Sequence, residues 1–68
     1  MSEEQARKQK ITTLNIKDSI IVILHKNRIR TLGQLTKRSK SDLRSFDLKS
    51  ADINKIEIEL QLQGLDLK

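Results

Sequence analysis

The sequence predicts an all-α protein, a compact bundle of four short helices behind an extended N-terminal lead. Its 68 residues suffice for one domain, because so short a chain buries only about 60% of its unfolded surface. There is no proline, and apolar residues recur three and four positions apart, with Ser, Thr or Asp ahead of each group. Without cysteine, neither disulfides nor thiolate zinc sites are available, so helix packing has to stabilise the fold.

Residues 1–10 differ in composition from the rest of the chain. Apart from Met1 and Ala6 they are charged or polar, and they show no apolar spacing that would bury a face. We therefore expect a flexible charged lead over residues 1–10 and a folded module over residues 11–68.

The first helix is expected from about Ser19 to Lys26. Asp18 is suited to cap it, and apolar residues at positions 20, 21, 23 and 24 supply contacts three and four residues apart. Asn27 and Arg28 then interrupt the helical pattern.

Two shorter helices are expected in the middle of the chain. Thr31 is suited to cap the first of them, which Gly33 weakens. Ser39 is suited to cap the second, and Asp42 lies in its first turn, where the helix dipole favours an anion. The residues of these helices that face inward are Leu32, Leu35, Leu43 and Phe46.

The last element fits two patterns. From position 56 to position 62 apolar and polar residues alternate, as in a half-buried strand, yet apolar residues at positions 53, 56 and 60 have helical spacing. We predict a helix, because Ser50 or Asp52 can cap its start and Gly64 fits the position after its end. In addition, no second strand is available for pairing.

The net charge of +5 is unevenly distributed. Residues 26–49 hold eight Lys and Arg against two acids, whereas residues 50–68 hold two Lys against four acids. A basic middle suits a polyanion, although a run of charge is also typical of a solvated face. The N-terminal residues lack the apolar stretch of a signal peptide, and the longest apolar run, from Ile20 to Leu24, is too short to span a bilayer, so we expect a cytoplasmic protein.

The residues that carry chemistry in enzymes form no recognisable constellation. There is no His-centred nucleophile pair and no glycine-rich phosphate loop, so we expect no enzyme activity, cofactor or small-molecule substrate. His25 is the single histidine and has no second ligand at metal-binding spacing. A surface or capping role for His25 is therefore favoured over a metal site.

The apolar residues form a pattern distributed over most of the chain. Its members are Leu14-x-Ile16, Leu24, Ile29, Thr31-Leu32-Gly33-x-Leu35, Ser39, Asp42-Leu43, Leu48 and Ile53-x-x-Ile56-x-x-x-Leu60-x-x-x-Gly64-Leu65-x-Leu67. From Ile11 to Lys68 this pattern resembles the C-terminal domain of the bacterial RNA polymerase alpha subunit.

This resemblance implies four short helices with two helix-hairpin-helix-like units. It also implies a non-enzymatic transcription module of a bacterium or phage, which docks onto promoter DNA in the minor groove and contacts RNA polymerase or a transcription regulator. DNA binding by such a module needs phosphate and base contacts, which the family concentrates in two motifs.

The two motifs are only partly matched in this chain. The first-helix motif Val-Arg-Ser-x-Asn-Cys-Leu-Lys corresponds to residues 18–25, where Ser19 occupies the position of the arginine that enters the minor groove and Val22 that of the asparagine. The second motif, Asn-Leu-Gly-x-Lys-Ser-Leu-x-Glu-Ile, corresponds to residues 47–56, where Lys49 replaces the glycine and Asp52 the serine. The Cβ of a lysine hinders the close backbone approach that glycine permits.

With these replacements, we expect DNA binding to be weak, salt-sensitive and directed mainly at phosphates. The residues that the resemblance and the positive charge assign to DNA binding are Lys17, Ser19, Lys49, Ser50 and Lys55. A basic patch is expected from Lys26, Arg28 and Arg30.

An alternative is a protein-interaction or dimerising module that has kept this fold and lost DNA binding. Four apolar residues motivate it, since some of them occupy positions where the family has polar or DNA-facing groups: Ile21, Val22, Ile58 and Leu62. Exposed apolar patches commonly mark protein contacts. A rearranged core that buries these residues would remove this motivation.

Overall fold

The computed structural model describes residues 3–68, apart from the side chain of Glu3, and shows five α-helices and one 3₁₀ turn among them. In chain order these are α1 (Glu3–Lys8), the 3₁₀ turn (Ile11–Thr13), α2 (Asp18–Lys26), α3 (Leu32–Thr36), α4 (Lys40–Ser45) and α5 (Ser50–Leu62). Residues 3–68 contain no β-strand, only an isolated antiparallel bridge between Lys10 and Thr31. The all-α prediction is confirmed, including the choice of helix for the last element.

The N-terminal segment differs from the extended lead that the sequence predicted. Residues 3–8 form α1, and Ala6 on its inner face is only 2% exposed. α1 packs against α3 at Gly33, where an added Cβ would lie 3.1 Å from the carbonyl oxygen of Arg7. The missing side chain of Gly33 thus admits a fifth helix, while residues 1 and 2 of the predicted lead lie outside the described residues.

Two backbone hydrogen bonds hold the segment after α1 against the linker between α2 and α3. The amide of Ile11 donates to the carbonyl of Arg30 at 3.0 Å, and the amide of Leu32 donates to the carbonyl of Gln9 at 2.9 Å. Residues 9–11 are therefore part of the folded unit rather than of a separate lead.

The predicted N-caps of the two short helices are confirmed. The side-chain oxygen of Thr31 accepts from the amide of Gln34 at 3.2 Å, and that of Ser39 accepts from the amide of Asp42 at 3.2 Å. In return, the carboxylate of Asp42 accepts from the amide of Ser39 at 3.0 Å, which completes a capping box.

The predicted N-caps of the two longer helices are wrong. α2 begins one residue earlier than expected, so its N-cap is Lys17 and Asp18 lies within its first turn. The N-cap of α5 is Lys49 rather than Ser50 or Asp52. In both helices the backbone is already extended at the lysine, which places the acid in the first turn, where the dipole stabilises its charge.

Three helices end in the same way, with a residue in the left-handed conformation that is followed by a buried apolar residue. The left-handed residues are Arg28 after α2 (φ 63°), Asp47 after α4 (φ 68°) and Gly64 after α5 (φ 77°). The amides of Ile29 and Leu65 donate to the carbonyls of Leu24 and Leu60 at 2.9 Å, which are the long bonds of two Schellman motifs. Gly64 is the helix-ending residue that the sequence predicted.

The core contains most of the apolar pattern on which the resemblance rests, joined by Ala6, Ile11 and Ile20, while Ile16 and Leu67 of that pattern are half-buried against it. Its members are Ala6, Ile11, Leu14, Ile20, Leu24, Ile29, Leu32, Leu35, Leu43, Leu48, Ile53, Ile56, Leu60 and Leu65. Burial of apolar side chains contributes ~25 cal/mol per Å², so this core is the main favourable term in folding. The radius of gyration of 10.6 Å is close to the ~11 Å expected for a compact chain of this length.

No helix within residues 3–68 has the length and apolar character needed to cross a membrane.

The left-handed helix ends make a testable pair of positions. We expect Gly64→Ala to lower the free energy of unfolding by ~1–2 kcal/mol, because an L-residue is strained in this conformation. The added Cβ would meet nothing within 4 Å, so the loss would come from the backbone alone. We expect Asp47→Gly to raise the free energy of unfolding by about 0.5–1 kcal/mol for the converse reason.

Urea unfolding followed by circular dichroism measures both changes. If both substitutions changed the free energy of unfolding in the same direction, or if Gly64→Ala raised it, the assignment of left-handed strain to these helix ends would be contradicted.

Candidate functional site

A cleft forms where α2 and α5 begin, and it contains two of the residues predicted to bind DNA, Lys17 and Lys55. The residues that line this N-terminal cleft are Asn15, Ile16, Lys17, Ile20, Ala51, Asp52 and Lys55. The fold thus brings together the two sequence motifs that the resemblance singled out. The other predicted DNA-binding residues, Ser19, Lys49 and Ser50, are exposed at the starts of the same two helices.

The two helices that border the N-terminal cleft have no side-chain cap on their first-turn amides. Their N-caps are Lys17 and Lys49, and neither side chain accepts a hydrogen bond from the helix backbone. The capping boxes of α3 and α4, in contrast, use their own amides internally. The amides at the starts of α2 and α5 are therefore available to an anion at the positive end of each helix dipole.

Acidic groups partly offset the positive charge of the N-terminal cleft. Asp52 lines the cleft, and its carboxylate accepts from the amide of Lys49 at 3.4 Å. Asp18 lies in the first turn of α2. An anion bound here would meet both lysines and Asp52, with Asp18 next to Lys17 in the sequence, which favours weak binding over tight binding.

Glu59 connects the N-terminal cleft to the loop before α2. One oxygen of its carboxylate accepts from the amide of Asn15 at 3.1 Å, and the other lies 3.3 Å from the ammonium group of Lys55. The hydrogen bond from Asn15 lowers the pKa of Glu59 below its ordinary value of 4.5, burial opposes this shift, and Lys55 adds to the lowering. Glu59 therefore remains charged and neutralises part of the charge of Lys55.

A second groove lies at the opposite end of α2. Its lining residues are Lys10, Thr12, His25, Arg30 and Thr31, and we call it the basic groove. Of the predicted basic patch, Arg30 lines this groove, while Lys26 and Arg28 are exposed at the end of α2 and are not among the lining residues. The bridge between Lys10 and Thr31 brings the N-terminal segment to the groove.

Sequence reasoning missed the contributions of Lys10 and Thr12 to the basic groove. It assigned Lys10 to the flexible lead, and the pairing of that segment with the linker after α2 has no signal in a single sequence. The charge pattern does contain a signal for a basic surface, because Asp18 is the single acid between residues 5 and 41.

Three of the four predicted protein-contact residues are exposed. Val22 is 50% exposed, Ile58 is 44% exposed and Leu62 is 73% exposed, and Ile58 and Leu62 follow each other on one face of α5. Ile21 differs, because it is half-buried and packs against the core. The prediction that Ile21 belongs to an exposed apolar patch is therefore wrong, because its side chain packs against the core.

His25 lies in the last turn of α2, where it is exposed and lines the basic groove. No group of three or more His, Cys, Asp or Glu residues that could hold a metal ion occurs in the part of the chain that the structure describes.

The pKa of Glu59 gives this site a testable pH dependence. A carboxyl whose pKa is lowered on folding stabilises the fold above its ordinary pKa, here 4.5, and this stabilisation is lost as pH falls through the lowered value. We expect the difference in free energy of unfolding between wild type and Glu59→Gln to shrink as pH falls below 4.5. Urea unfolding over a series of pH values measures it, and a difference independent of pH would contradict this role of Glu59.

The chain matches no protein-family model, and it matches no curated protein. The interpretation of the N-terminal cleft and of the basic groove therefore depends on their own residues.

Proposed function

We propose that this protein is a non-enzymatic transcription module, similar to the C-terminal domain of the bacterial RNA polymerase alpha subunit, that docks weakly onto duplex DNA. The apolar residues that carry the resemblance are all buried or half-buried, which supports it. In this proposal the domain acts in a bacterial cytoplasm beside RNA polymerase or a regulator.

The observation that carries the proposal is the meeting of two helix starts at the N-terminal cleft. α2 and α5 are the two longest helices, and both present amides without side-chain caps beside Lys17 and Lys55. Backbone amides at helix starts, together with lysine point charges, are a common phosphate-binding arrangement. This arrangement supports contacts to the DNA backbone rather than base readout.

Weak, salt-dependent binding follows from the charges of the N-terminal cleft. Asp18, Asp52 and Glu59 oppose a polyanion at the same place where the lysines attract it. Each phosphate contact made by a lysine adds about 0.9 to the slope of log affinity against log salt. A few such contacts hold a duplex at low salt and release it as salt increases.

A titration of isotope-labelled protein with an A·T-rich duplex at low and moderate salt tests this proposal. We expect amide shifts at Lys17, Ser19, Ala51 and Lys55 that fade as salt increases. Lys17→Gln should weaken binding and lower the salt slope by about 1. Absence of shifts even at low salt would contradict DNA docking.

The chain offers a matched control on α5. Glu59 pairs with Lys55 beside the N-terminal cleft, whereas Glu57 pairs with Lys40 at 3.0 Å, away from the residues that line it. Glu59→Gln should strengthen DNA binding several-fold, because Lys55 loses its acidic partner while an oxygen remains to accept from Asn15. Glu57→Gln removes the same charge and should have a smaller effect.

The second candidate function, a protein-interaction or dimerising module, is favoured by the exposed apolar side chains. Val22, Ile58 and Leu62 are each at least 44% exposed, and large side chains of this kind are common in protein interfaces. In this alternative the acids of the N-terminal cleft reflect a loss of DNA binding.

Sedimentation of the free protein, of Val22→Arg and of Leu62→Arg tests the alternative. If these side chains mediate self-association, the wild type should sediment as a concentration-dependent mixture, and either arginine should shift it towards monomer. A wild type that stays monomeric at all concentrations would remove self-association from consideration.

A further inference from the structure

We propose that the basic groove is a second phosphate-binding surface, which takes the backbone of the same DNA duplex at the end of α2 opposite the N-terminal cleft. This inference rests on the proposed DNA docking, but it uses different residues. Three chain segments meet at the groove, and together they contribute Lys10, Thr12, His25, Arg30 and Thr31. No Asp or Glu is among the lining residues, whereas Asp52 lines the N-terminal cleft.

Among the residues that the structure describes, the cations that line the basic groove have no acidic partner. Among the described side chains, of residues 4–68, no hydrogen bond or ion pair engages the charged group of Lys10 or Arg30, or that of the neighbouring Arg28. Lys40 and Lys55, in contrast, pair with acids of α5. A concentration of uncompensated positive charge repels itself in the folded state, and a polyanion relieves that repulsion.

Arg28, two residues before the groove-lining Arg30, combines a positive charge with a strained backbone conformation. Arg28 is left-handed, with φ 63°, at the helix end where glycine is most often found. Glycine would remove the strain between its side chain and the backbone, but it would also remove a cation beside the groove.

The lining of the groove fits phosphate better than an acidic protein segment. Lysine, arginine and threonine supply hydrogen-bond donors, and no Phe, Tyr, Trp or large aliphatic residue is among the lining residues. Protein partners usually need such residues as buried anchors, and single-stranded nucleic acid needs aromatic rings for base stacking. The backbone of a duplex requires only the donors and the charge.

α2 separates the basic groove from the N-terminal cleft. From Lys17 to Lys26 the helix rises ~13 Å, so the two surfaces make distinct contacts. This separation is close to the ~12 Å width of the DNA major groove, so one duplex can contact both ends of α2.

Charge neutralisation in matched pairs tests the proposal by fluorescence anisotropy with an A·T-rich duplex, between about 50 and 200 mM salt. The groove variant is Lys10→Gln with Arg30→Gln, and the control is Lys37→Gln with Arg44→Gln, which removes the same charge from exposed positions outside both surfaces. We expect the groove variant to lower the salt slope by about 2 and to weaken binding at low salt at least 10-fold. The control should change both values much less.

The outcomes separate this proposal from the docking function at the N-terminal cleft. A groove variant that binds like the control would overturn the second surface, even if Lys17→Gln still weakens binding. Loss of binding in the groove variant with an unaffected Lys17→Gln would support the groove and overturn the cleft. Absence of wild-type binding at low salt would overturn both.

Arg28→Gly distinguishes lost contacts from lost folding. Because glycine relieves the left-handed strain, this variant should be at least as resistant to urea as the wild type. We expect it nevertheless to bind the duplex more weakly and with a lower salt slope. Unchanged binding would show that Arg28 is not part of the surface.

Discussion

The architecture depends on one repeated constraint at helix ends. α2, α4 and α5 each end in a left-handed residue, and the next residue, Ile29, Leu48 or Leu65, returns to the core. Each of these apolar residues follows a buried leucine by five positions, so one spacing closes all three helices. Without proline and with two glycines in all, the chain makes two of these turns with Arg28 and Asp47, at a cost in backbone strain.

The other glycine, Gly33, has a different role, which is to let two helices pack closely. Gly33 lets the backbone of α1 approach α3 at Arg7 more closely than a Cβ would allow. With α1 seated, the segment after it pairs with the linker that follows α2, and Lys10 reaches the basic groove. Packing at one small residue therefore has an electrostatic consequence, because it joins the cations of the N-terminal segment to those at the end of α2.

α2 links the two candidate surfaces. Like any helix, it has free backbone amides at its start and free carbonyls at its end. Its start offers uncapped amides beside lysines and acids, and its end places cations beside the helix carbonyls. The first arrangement is suited to a single phosphate and the second to a stretch of backbone. The acids of the N-terminal cleft make it the weaker electrostatic surface, although the resemblance to the RNA polymerase alpha domain points to it.

The sequence by itself determined the class of fold, most of the core and the caps of the two short helices. Apolar spacing fixes which faces are buried, and Thr31, Ser39 and Gly64 act through their immediate neighbours, so these features are readable locally. The sequence also predicted that Lys17 and Lys55 lie on one surface. This prediction came from the resemblance and not from the spacing of the residues. Only the tertiary structure decided the helix at residues 3–8, the packing of the half-buried Ile21 against the core and the basic groove. These features arise from contacts between segments distant along the chain, where the free energy of packing overrides the polar composition of the segment that is packed.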